Sequence, residues 1–411
     1  MSNCPVNYVK DNLMFAADGS CWAVFELRGF DYNLQSLENK RGILESLTLF
    51  IANVASEAKF MIIPVAQDVD VHYERLTGKL NTSDPLYDYA ADYCENTREH
   101  LKERDAGGNG ESVQAVYKTF MSVKLHKADV SDYFKDLKAS LNFLCKTVYS
   151  HITTGAGLDT RDIAVAKIAG FAQLAEQIRT EQSRRLEIAP VDGETIRWLL
   201  CRNMYRGLPE DAQMYADRYS EKREQFYEEV ELVGDLYIRP ETREIESCFD
   251  GTITKDKSGR MLAVKHDFGT SYQSFLAFSK YCKEFAFPGL EWIYSLQQTA
   301  VNAEMYVHIK ISELHTALKH IDNKRREVNS QFENIAKAKS DPPQDLLESA
   351  AEIEELEAEL KAANSPMLWA SATICVAGDN ADIVNANARE LIVAYGEHKF
   401  NVPECIIGIF I

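Results

Sequence analysis

The chain has 411 residues, of which 45% are hydrophobic and 26% are charged, and its formal net charge is −18 at pH 7. This length allows two or three domains with a sizeable core, and the composition is ordinary for a soluble globular protein. The negative charge argues against a chain that coats nucleic acid as a whole, although a local basic groove is compatible with it.

The first part of the chain is predicted to form a strand hairpin, a helix and a further strand. The turn signal Asp18-Gly19 separates two apolar runs of strand length, LMFAA and CWAVFEL. The next strand, FMIIPVAQ, contains Pro64, which favours an edge position or a bulge because proline has no backbone donor. The helix between them has its apolar side chains on one face, namely Ile43, Leu47, Phe50, Ile51 and Val54.

The middle of the chain, residues 73–232, is predicted to be a mainly helical subdomain. It begins with a polar, tyrosine-rich stretch that contains the glycine-rich loop 105–112. Apolar periodicity and, in the last case, charge density then predict helices over 132–149, 161–185, 194–205 and 211–230.

The last part, residues 233–411, is predicted to form a second sheet-and-helix unit with a helical hairpin inserted at 312–364. Its order of strands and helix resembles that of the first unit, residues 1–72, so we predict a β-α-β pseudo-repeat. The predicted fold class is α+β, with two sheet-and-helix units, a helical middle subdomain and a long antiparallel helical hairpin between strands. Strands are predicted over 234–240, 261–268, 305–311 and 368–377, and a helix over 382–399.

The hairpin has the clearest pattern in the sequence. Its first helix places apolar residues at heptad core positions, with Arg325 at the one position that is not apolar. The motif SDPPQD ends this helix, because proline disfavours a helical residue before it. The first helix is basic in its middle and the second is acidic, so an antiparallel pair would set opposite charges side by side.

Two interpretations of the hairpin remain open. It either packs on the body of the protein, or its tip near Pro342 and Pro343 contacts a neighbouring subunit or a channel protein. For the second interpretation, the candidate partner contacts are Arg325, Arg326, Pro342, Pro343, Glu348 and Glu355.

No motif in the sequence predicts a catalytic, cofactor-binding or metal site. The phosphate-binding loop GxxxxGK(S/T) is absent, and the GAG at 155–157 is too short for a dinucleotide fingerprint. The 9 histidines form no HExxH pair, and the 9 cysteines have no CxxC spacing, which predicts reduced thiols in a cytosolic compartment. No run reaches the roughly 18–20 apolar residues that span a bilayer, so we expect any membrane association to be peripheral and through a partner.

Three stretches together resemble a known family in their order along the chain. The opening YVKDNLMFAADGSCWAVFEL contains DNLMF at 11–15 and DGSCWA at 18–23. ETIRWLLCRNMYRG follows at 194–207, and the strand, helical hairpin and strand of 305–376 come last. In this order they resemble the N-terminal domain of the VirB-type motor ATPases of conjugative type IV secretion, particularly those on integrative elements of Gram-positive bacteria.

The resemblance implies a non-catalytic docking and oligomerisation domain that anchors the motor to inner-membrane components of the secretion channel for DNA transfer. It also implies a cytoplasmic protein held at the inner face of the cell membrane by its partners, self-association, and no direct contact with nucleic acid. ATP and magnesium are implied only for a C-terminal motor domain with a P-loop. The apolar final run CIIGIFI favours a chain that is shortened before that domain, so no catalytic residue is carried over.

Other classes of function remain as alternatives. The chain is also compatible with a stand-alone scaffold or coiled-coil adaptor that binds a partner through the hairpin at 312–364, or with an enzyme whose site has no recognised motif. A P-loop shortly after residue 411 in the reading frame would favour the motor, whereas a stop codon would favour the adaptor. ATP binding by this chain alone would contradict both non-enzymatic interpretations.

Overall fold

The fold is described from a computed structural model. It covers residues 4–29, 35–54, 57–66, 73–74, 76–106, 115–125, 161–208, 225–232, 235–256, 259–279, 295–297, 299, 301–337, 341–363, 366–398 and 400–405. The strands are β1 (Val6–Lys10), β2 (Leu13–Ala16), β3 (Cys21–Leu27), β4 (Glu57–Ala66), β5 (Ala115–Leu125), β6 (Ile163–Ala164), β7 (Ile188–Pro190), β8 (Tyr227–Leu232), β9 (Asp235–Pro240), β10 (Thr252–Lys255), β11 (Met261–His266), β12 (Gly269–Ala277), β13 (Ala303–Ser312) and β14 (Met367–Gly378). The helices are α1 (Leu37–Val54), α2 (Tyr87–Ala106), α3 (Val165–Gln182), α4 (Gly193–Tyr205), α5 (Arg243–Glu246), α6 (Leu314–Lys337), α7 (Gln344–Ala363) and α8 (Ala381–Glu397).

One large antiparallel sheet dominates the fold and confirms the predicted α+β class. Its strand order is β1-β2-β3-β5-β4-β13-β14-β12-β11-β10, and β7 pairs with β3 beside this path. The strands of residues 1–72 meet those of residues 233–411 at the β4–β13 pair, where Ile62 lies opposite Met305. A second, three-stranded sheet has the order β6-β9-β8.

Helices cover the two faces of the large sheet unequally. On the first face, α1 and α3 pack against the strands near the N-terminus, as Phe50 and Ala175 do beside Met121. On the same face, α8 packs against β14, where Leu391 joins the cluster around Ile374. On the second face, α4 and Ile245 of α5 pack over an apolar cluster that includes Val24 and Phe120.

Several local predictions are confirmed. The turn at Asp18-Gly19 joins β2 and β3 in an antiparallel pair, with Gly19 in the left-handed region at φ 81° and the Asp18 carboxylate accepting a hydrogen bond from the Ser20 amide. On α1, the predicted apolar face is the packed one, since Phe50 and Val54 are buried. The predicted strands and helices of the hairpin region form as β13, α6, α7 and β14.

The predicted edge position of Pro64 is wrong, because β4 lies inside the sheet between β5 and β13. Proline is tolerated there because β13 pairs with β4 only as far as Ile62, so Pro64 lies beyond that pairing and opposite Tyr117 of β5 alone. The absence of a backbone N–H at Pro64 therefore costs no hydrogen bond between β4 and β13.

The helix predicted over 211–230 is also wrong at its end, because residues from Tyr227 onward form β8. Pairing with β9 decides the conformation of this segment, and its glutamates remain exposed on the strand. A high density of charged residues indicates that a segment is exposed to solvent. It does not distinguish an exposed helix from an exposed strand. The predicted helix 132–149 and the loop 153–160 lie outside the described residues, as does most of 211–226.

Candidate docking surfaces

The helical hairpin joins two neighbouring strands in the middle of the sheet. β13 pairs with β14 along its full length, from Ala303 opposite Val376 to Ser312 opposite Met367, and the chain leaves and re-enters the sheet through α6 and α7. The hairpin has an apolar core of its own in which the start of α6 meets the end of α7, so the helices are antiparallel. This core contains Ala317, Ile321 and Leu360, with Leu314, Ile353, Leu356 and Met367 packed against it.

The predicted charge pairing between the two helices is found at Arg325. This arginine, which occupies the one non-apolar core position of α6, forms an ion pair with Glu357 of α7, and both side chains are half-buried. Lys361 binds the same glutamate at 2.6 Å. Arg325 therefore stabilises the hairpin itself, whatever further contact it makes.

The other candidate contacts lie along the outside of the hairpin. Arg326 is exposed and pairs with Asp322 one turn earlier at 2.6 Å. Pro343 is exposed before the first residue of α7, and Pro342 is half-buried. Glu348 and Glu355 are exposed on α7. The described contacts bring Arg325 to the opposite helix, but they do not gather the six candidates into one cluster.

A stripe of four glutamates follows one outer face of α7, and we call it the acidic stripe. Its members are spaced by four, three and four residues, which keeps them on one side of a helix with 3.6 residues per turn. All four are exposed, and the stripe is about 16 Å long at 1.5 Å per residue. Like charges at this spacing destabilise an isolated helix. The residues are Glu348, Glu352, Glu355 and Glu359.

Two rows of side chains cross the second face of the sheet beside the base of the hairpin. The strand register places one residue from each of β14, β13, β4, β5 and β3 in each row, and side-chain alternation puts both rows on the face that carries α4. We call the two rows together the basic sheet face. The first row is Trp369, Lys310, Glu57, Lys124 and Trp22, and the second is Ser371, His308, Lys59, Ser122 and Val24.

Glu57 is the centre of charge pairing on the basic sheet face. Its carboxylate lies 2.9 Å from His308 Nε2, 3.2 Å from Lys124 Nζ and 3.6 Å from Lys310 Nζ. Partial burial works to raise the pKa of Glu57, but the hydrogen bonds from His308 and Lys124 and the nearby lysine charges outweigh it and lower the pKa. Glu57 therefore stays ionised at neutral pH.

Aromatic side chains mark both ends of the basic sheet face. Lys59 Nζ lies 4.6 Å from the centroid of the Trp22 ring and Lys124 Nζ lies 5.4 Å from it, so the two ammonium groups cover the buried indole. At the other end Trp369 is 47% exposed, and its ring meets His320 of α6 edge-on. The face is therefore continuous with the base of the hairpin.

A buried charge network fixes α4 over the other half of the second face. Glu304 of β13 is 4% exposed and accepts hydrogen bonds from Arg202 Nε and Arg206 Nε, each at 2.8 Å. Burial raises the pKa of Tyr306, so its hydroxyl stays protonated and donates to Glu304 at 2.5 Å. Arg206 also donates to Gln273 of β12 at 3.0 Å. The network therefore joins α4 to strands that lie far apart in the sequence.

The chain makes a close approach to β14 immediately after α4. Gly207 has φ +71°, and a Cβ atom at this position would lie 2.3 Å from the carbonyl carbon of Ala377 and from the amide nitrogen of Gly378. Ser271 donates a hydrogen bond to the carbonyl of the preceding Arg206 at 2.6 Å. Arg206 and Gly207, which directly follow α4, therefore hold this helix against the sheet. Any residue other than glycine at position 207 would be strained.

A cleft of about 380 Å³ lies between α3 and the first turn of α4. Asp192 on its wall caps α4 by accepting a hydrogen bond from the Thr195 amide at 2.8 Å, and the hydrogen bonds from Thr195 lower its pKa. Glu176 on the opposite wall pairs with Arg179 one turn later. Both of these carboxylates serve the local fold, so neither of them makes the cleft a binding site.

Sequence reasoning names part of the acidic stripe and misses the basic sheet face. Glu348 and Glu355 are among the predicted contacts, and the spacing of Glu352 and Glu359 in the sequence would have completed the stripe. The basic sheet face is assembled from strands that are distant in the sequence, so no local pattern points to it. Within the described ranges, no helix combines the length and apolar character needed to cross a membrane, and no three His, Cys, Asp or Glu side chains are grouped to hold a metal ion.

The chain was compared with protein-family models and with curated proteins. No protein-family model matches the chain, and no curated protein matches it.

Proposed function

We propose that this chain is the non-catalytic docking and oligomerisation domain of a conjugative type IV secretion ATPase. The observation that carries the proposal is the helical hairpin, which leaves the sheet between two central strands and presents the acidic stripe on its outer face. A rigid support with an exposed charged element is suited to partner binding, because charged surfaces steer encounter and set the orientation of the partner.

The resemblance in sequence supports the same proposal. The opening motifs form β2 and β3, and the middle motif forms α4 with its buried arginines. Their side chains serve packing, as with Trp22 under two lysines and Arg206 beside Glu304. A family resemblance that rests on such residues supports a shared domain rather than a shared catalytic site.

In this proposal the partners are inner-membrane components of the secretion channel and further copies of the ATPase. The domain would act in the cytoplasm at the inner face of the membrane and would hold the motor in position for DNA transfer. ATP and magnesium would be bound by the motor domain of the whole protein, and none of the residues described above is assigned to either.

A stand-alone coiled-coil adaptor is the alternative. The apolar core within the hairpin favours it, because a helical pair with its own core is a unit that binds partner helices in other proteins. The reading frame after residue 411 separates the two functions: a P-loop downstream supports the motor, and a stop codon supports the adaptor.

Charge reversal on the acidic stripe tests the proposed docking function. We expect the four changes Glu348→Lys, Glu352→Lys, Glu355→Lys and Glu359→Lys, made in the full-length protein, to lower DNA-transfer frequency by about tenfold or more, since four rim contacts of up to about 1 kcal/mol each are reversed. The melting temperature of the purified chain should stay close to that of the unaltered protein, because all four side chains are exposed.

The matched control carries the same change of charge on other helices. Glu38 and Glu45 of α1 and Glu390 and Glu397 of α8 are also exposed, and their reversal to lysine should leave transfer unaffected. Normal transfer by the stripe variant, at normal protein levels, would refute a docking role for this face.

A further inference from the structure

We propose that the thiols of Cys201 and Cys248 are a site of reversible oxidation, at which hydrogen peroxide converts the two side chains into one disulfide. We call these two residues the thiol pair. They lie 47 positions apart in the sequence, so only the fold brings them together. The disulfide is a modification of the chain itself and is independent of the docking function proposed above.

The thiol pair joins two neighbouring elements on the second face of the large sheet. Cys201 lies on α4, and Cys248 lies in the short 3-10 helix Ser247–Phe249 that follows α5. This 3-10 helix packs directly against α4, and the side chains of Cys201 and Cys248 are hydrogen-bonded to each other. A disulfide forms only between cysteines that are close in space, and the hydrogen bond between the thiols brings the two sulfur atoms into contact.

The surroundings of the thiol pair make its two members unequal. Cys248 is 5% exposed, whereas Cys201 is half-buried and reaches solvent. The hydrogen bond with Cys201 and burial raise the pKa of Cys248, and the charge of Arg197, one turn before Cys201 on α4, opposes them. Cys248 therefore stays a protonated thiol at neutral pH, and the first reaction with an oxidant falls to Cys201, the member that solvent reaches.

Cys4 is the competing partner for Cys248. It is half-buried and packs against the apolar cluster under α4. Its thiol donates a hydrogen bond to the Val6 carbonyl at 3.0 Å. The Cys248 thiol instead contacts Cys201 and donates to the Glu244 carbonyl at 3.7 Å. The direct contact favours Cys201 over Cys4 as the residue to which Cys248 is joined.

The oxidation has two steps. In the first, the Cys201 thiolate attacks one oxygen of hydrogen peroxide, the O–O bond breaks, and the hydroxide that leaves takes up the thiol proton as water, so Cys201 becomes a sulfenic acid. In the second, the Cys248 sulfur attacks the Cys201 sulfur, the S–O bond breaks, and the departing hydroxide takes the Cys248 proton. The thiol pair thereby loses two hydrogens and two electrons, and one peroxide becomes two waters.

The disulfide would fix α4 to the turn that leads into β10, the last strand in the order of the large sheet. In the reduced chain, α4 is held by apolar packing and by the buried network around Glu304. A covalent link from Cys201 to Cys248 restricts the unfolded chain and so favours the folded one. Oxidation should therefore make the protein more resistant to unfolding.

Peptide mapping of the whole purified chain tests this inference. The reduced chain is treated with hydrogen peroxide, the remaining thiols are alkylated, and tryptic peptides are analysed by mass spectrometry without reduction. We expect a cross-linked pair of peptides that contains Cys201 and Cys248 and that disappears after treatment with dithiothreitol. The melting temperature should rise by about 5 °C on oxidation and return to its starting value on reduction.

Three variants assign the role of each thiol. In Cys248→Ala the second step is blocked, so Cys201 should remain a sulfenic acid that dimedone traps. Cys201→Ser should abolish both the cross-link and the rise in melting temperature, and it is expected to fold because the side chain is half-buried. Cys405→Ser is the matched control, since Cys405 is also a half-buried free cysteine, and it should leave the cross-link unchanged.

Two results of the mapping would overturn the inference. One is the absence of any peptide pair between Cys201 and Cys248 after oxidation, including the case in which Cys248 is joined to Cys4. The other is a cross-link that forms equally fast in the chain unfolded by urea, because the contact in the fold would then contribute nothing. Both results come from the unaltered chain, so they decide the question even if Cys248→Ala does not fold.

Discussion

Replacing Glu304 with alanine is expected to lower the free energy of unfolding by about 3–5 kcal/mol. The change leaves Arg202 and Arg206 buried without the carboxylate that both of them bind at 2.8 Å. An ionised group that is buried without its counter-charge is strongly destabilising, and here two such groups lose the same partner. The Tyr306 hydroxyl loses its acceptor as well.

Equilibrium unfolding in urea, followed by tryptophan fluorescence, measures this effect. Glu390→Ala on the exposed surface of α8 is the control and should change the free energy of unfolding by no more than about 0.5 kcal/mol. A value for Glu304→Ala as small as that of the control would mean that the two arginines reach solvent and that α4 is not anchored by this network.

The same residue should make stability depend on pH in the acid range. Burial works to raise the pKa of Glu304, but the charges of Arg202 and Arg206 and the hydrogen bonds outweigh it, so the pKa in the folded protein is lowered. The stability it contributes is then present above the pKa of about 4.3 of an unfolded glutamate, and it is lost as pH falls through the lower folded pKa. The difference in unfolding free energy between the unaltered protein and Glu304→Gln should therefore shrink below about pH 4.

Replacing Gly207 with alanine is expected to destabilise the protein by about 2–4 kcal/mol. The residue has φ +71°, a conformation that costs a residue with a Cβ atom about 1–2 kcal/mol. The new methyl group would also lie 2.3 Å from backbone atoms of Ala377 and Gly378. Those atoms belong to the end of β14, which is paired with β12 at this point, so we expect the turn after α4 to move instead.

Glycine 42 in α1 provides a matched control for this substitution. A Cβ atom at Gly42 would meet nothing within 4 Å, and its position in a helix favours alanine. Gly42→Ala should therefore stabilise the protein by up to about 1 kcal/mol in the same unfolding measurement. If both substitutions proved neutral or stabilising, the close approach of the chain to β14 at Gly207 would be refuted.

Local patterns in the sequence predict the elements whose partners are close along the chain. The β2–β3 turn, the packed face of α1 and the core of the hairpin all follow from residues within about two dozen positions of each other. The same patterns reveal the acidic stripe, because its helical spacing is visible in the sequence. In each of these features, the conformation that the local sequence favours is also the one that tertiary packing requires.

Features assembled from distant strands are not predictable in this way. Hydrophobic periodicity treats Arg202 and Arg206 as surface residues, and only their meeting with Glu304 explains why they are buried. The edge position predicted for Pro64 is wrong for the same reason. Proline is tolerated inside the sheet because β13 pairs with β4 only as far as Ile62, and this limit depends on a strand distant in the sequence. The basic sheet face depends on the register of five strands, which the sequence does not display.

The pairing of β4 with β13 also affects how the chain is made. β13 begins 178 positions after the end of β5 (from Leu125 to Ala303), so at typical synthesis rates of 5–20 residues per second β4 waits on the order of 10–40 s after β5 for its second partner. During that time the backbone groups of Glu57–Ile62 form an open strand edge, which is a template for aggregation. Nascent chains stalled before β13 should therefore recruit chaperones more strongly than chains stalled after β14, which ribosome-bound crosslinking would show.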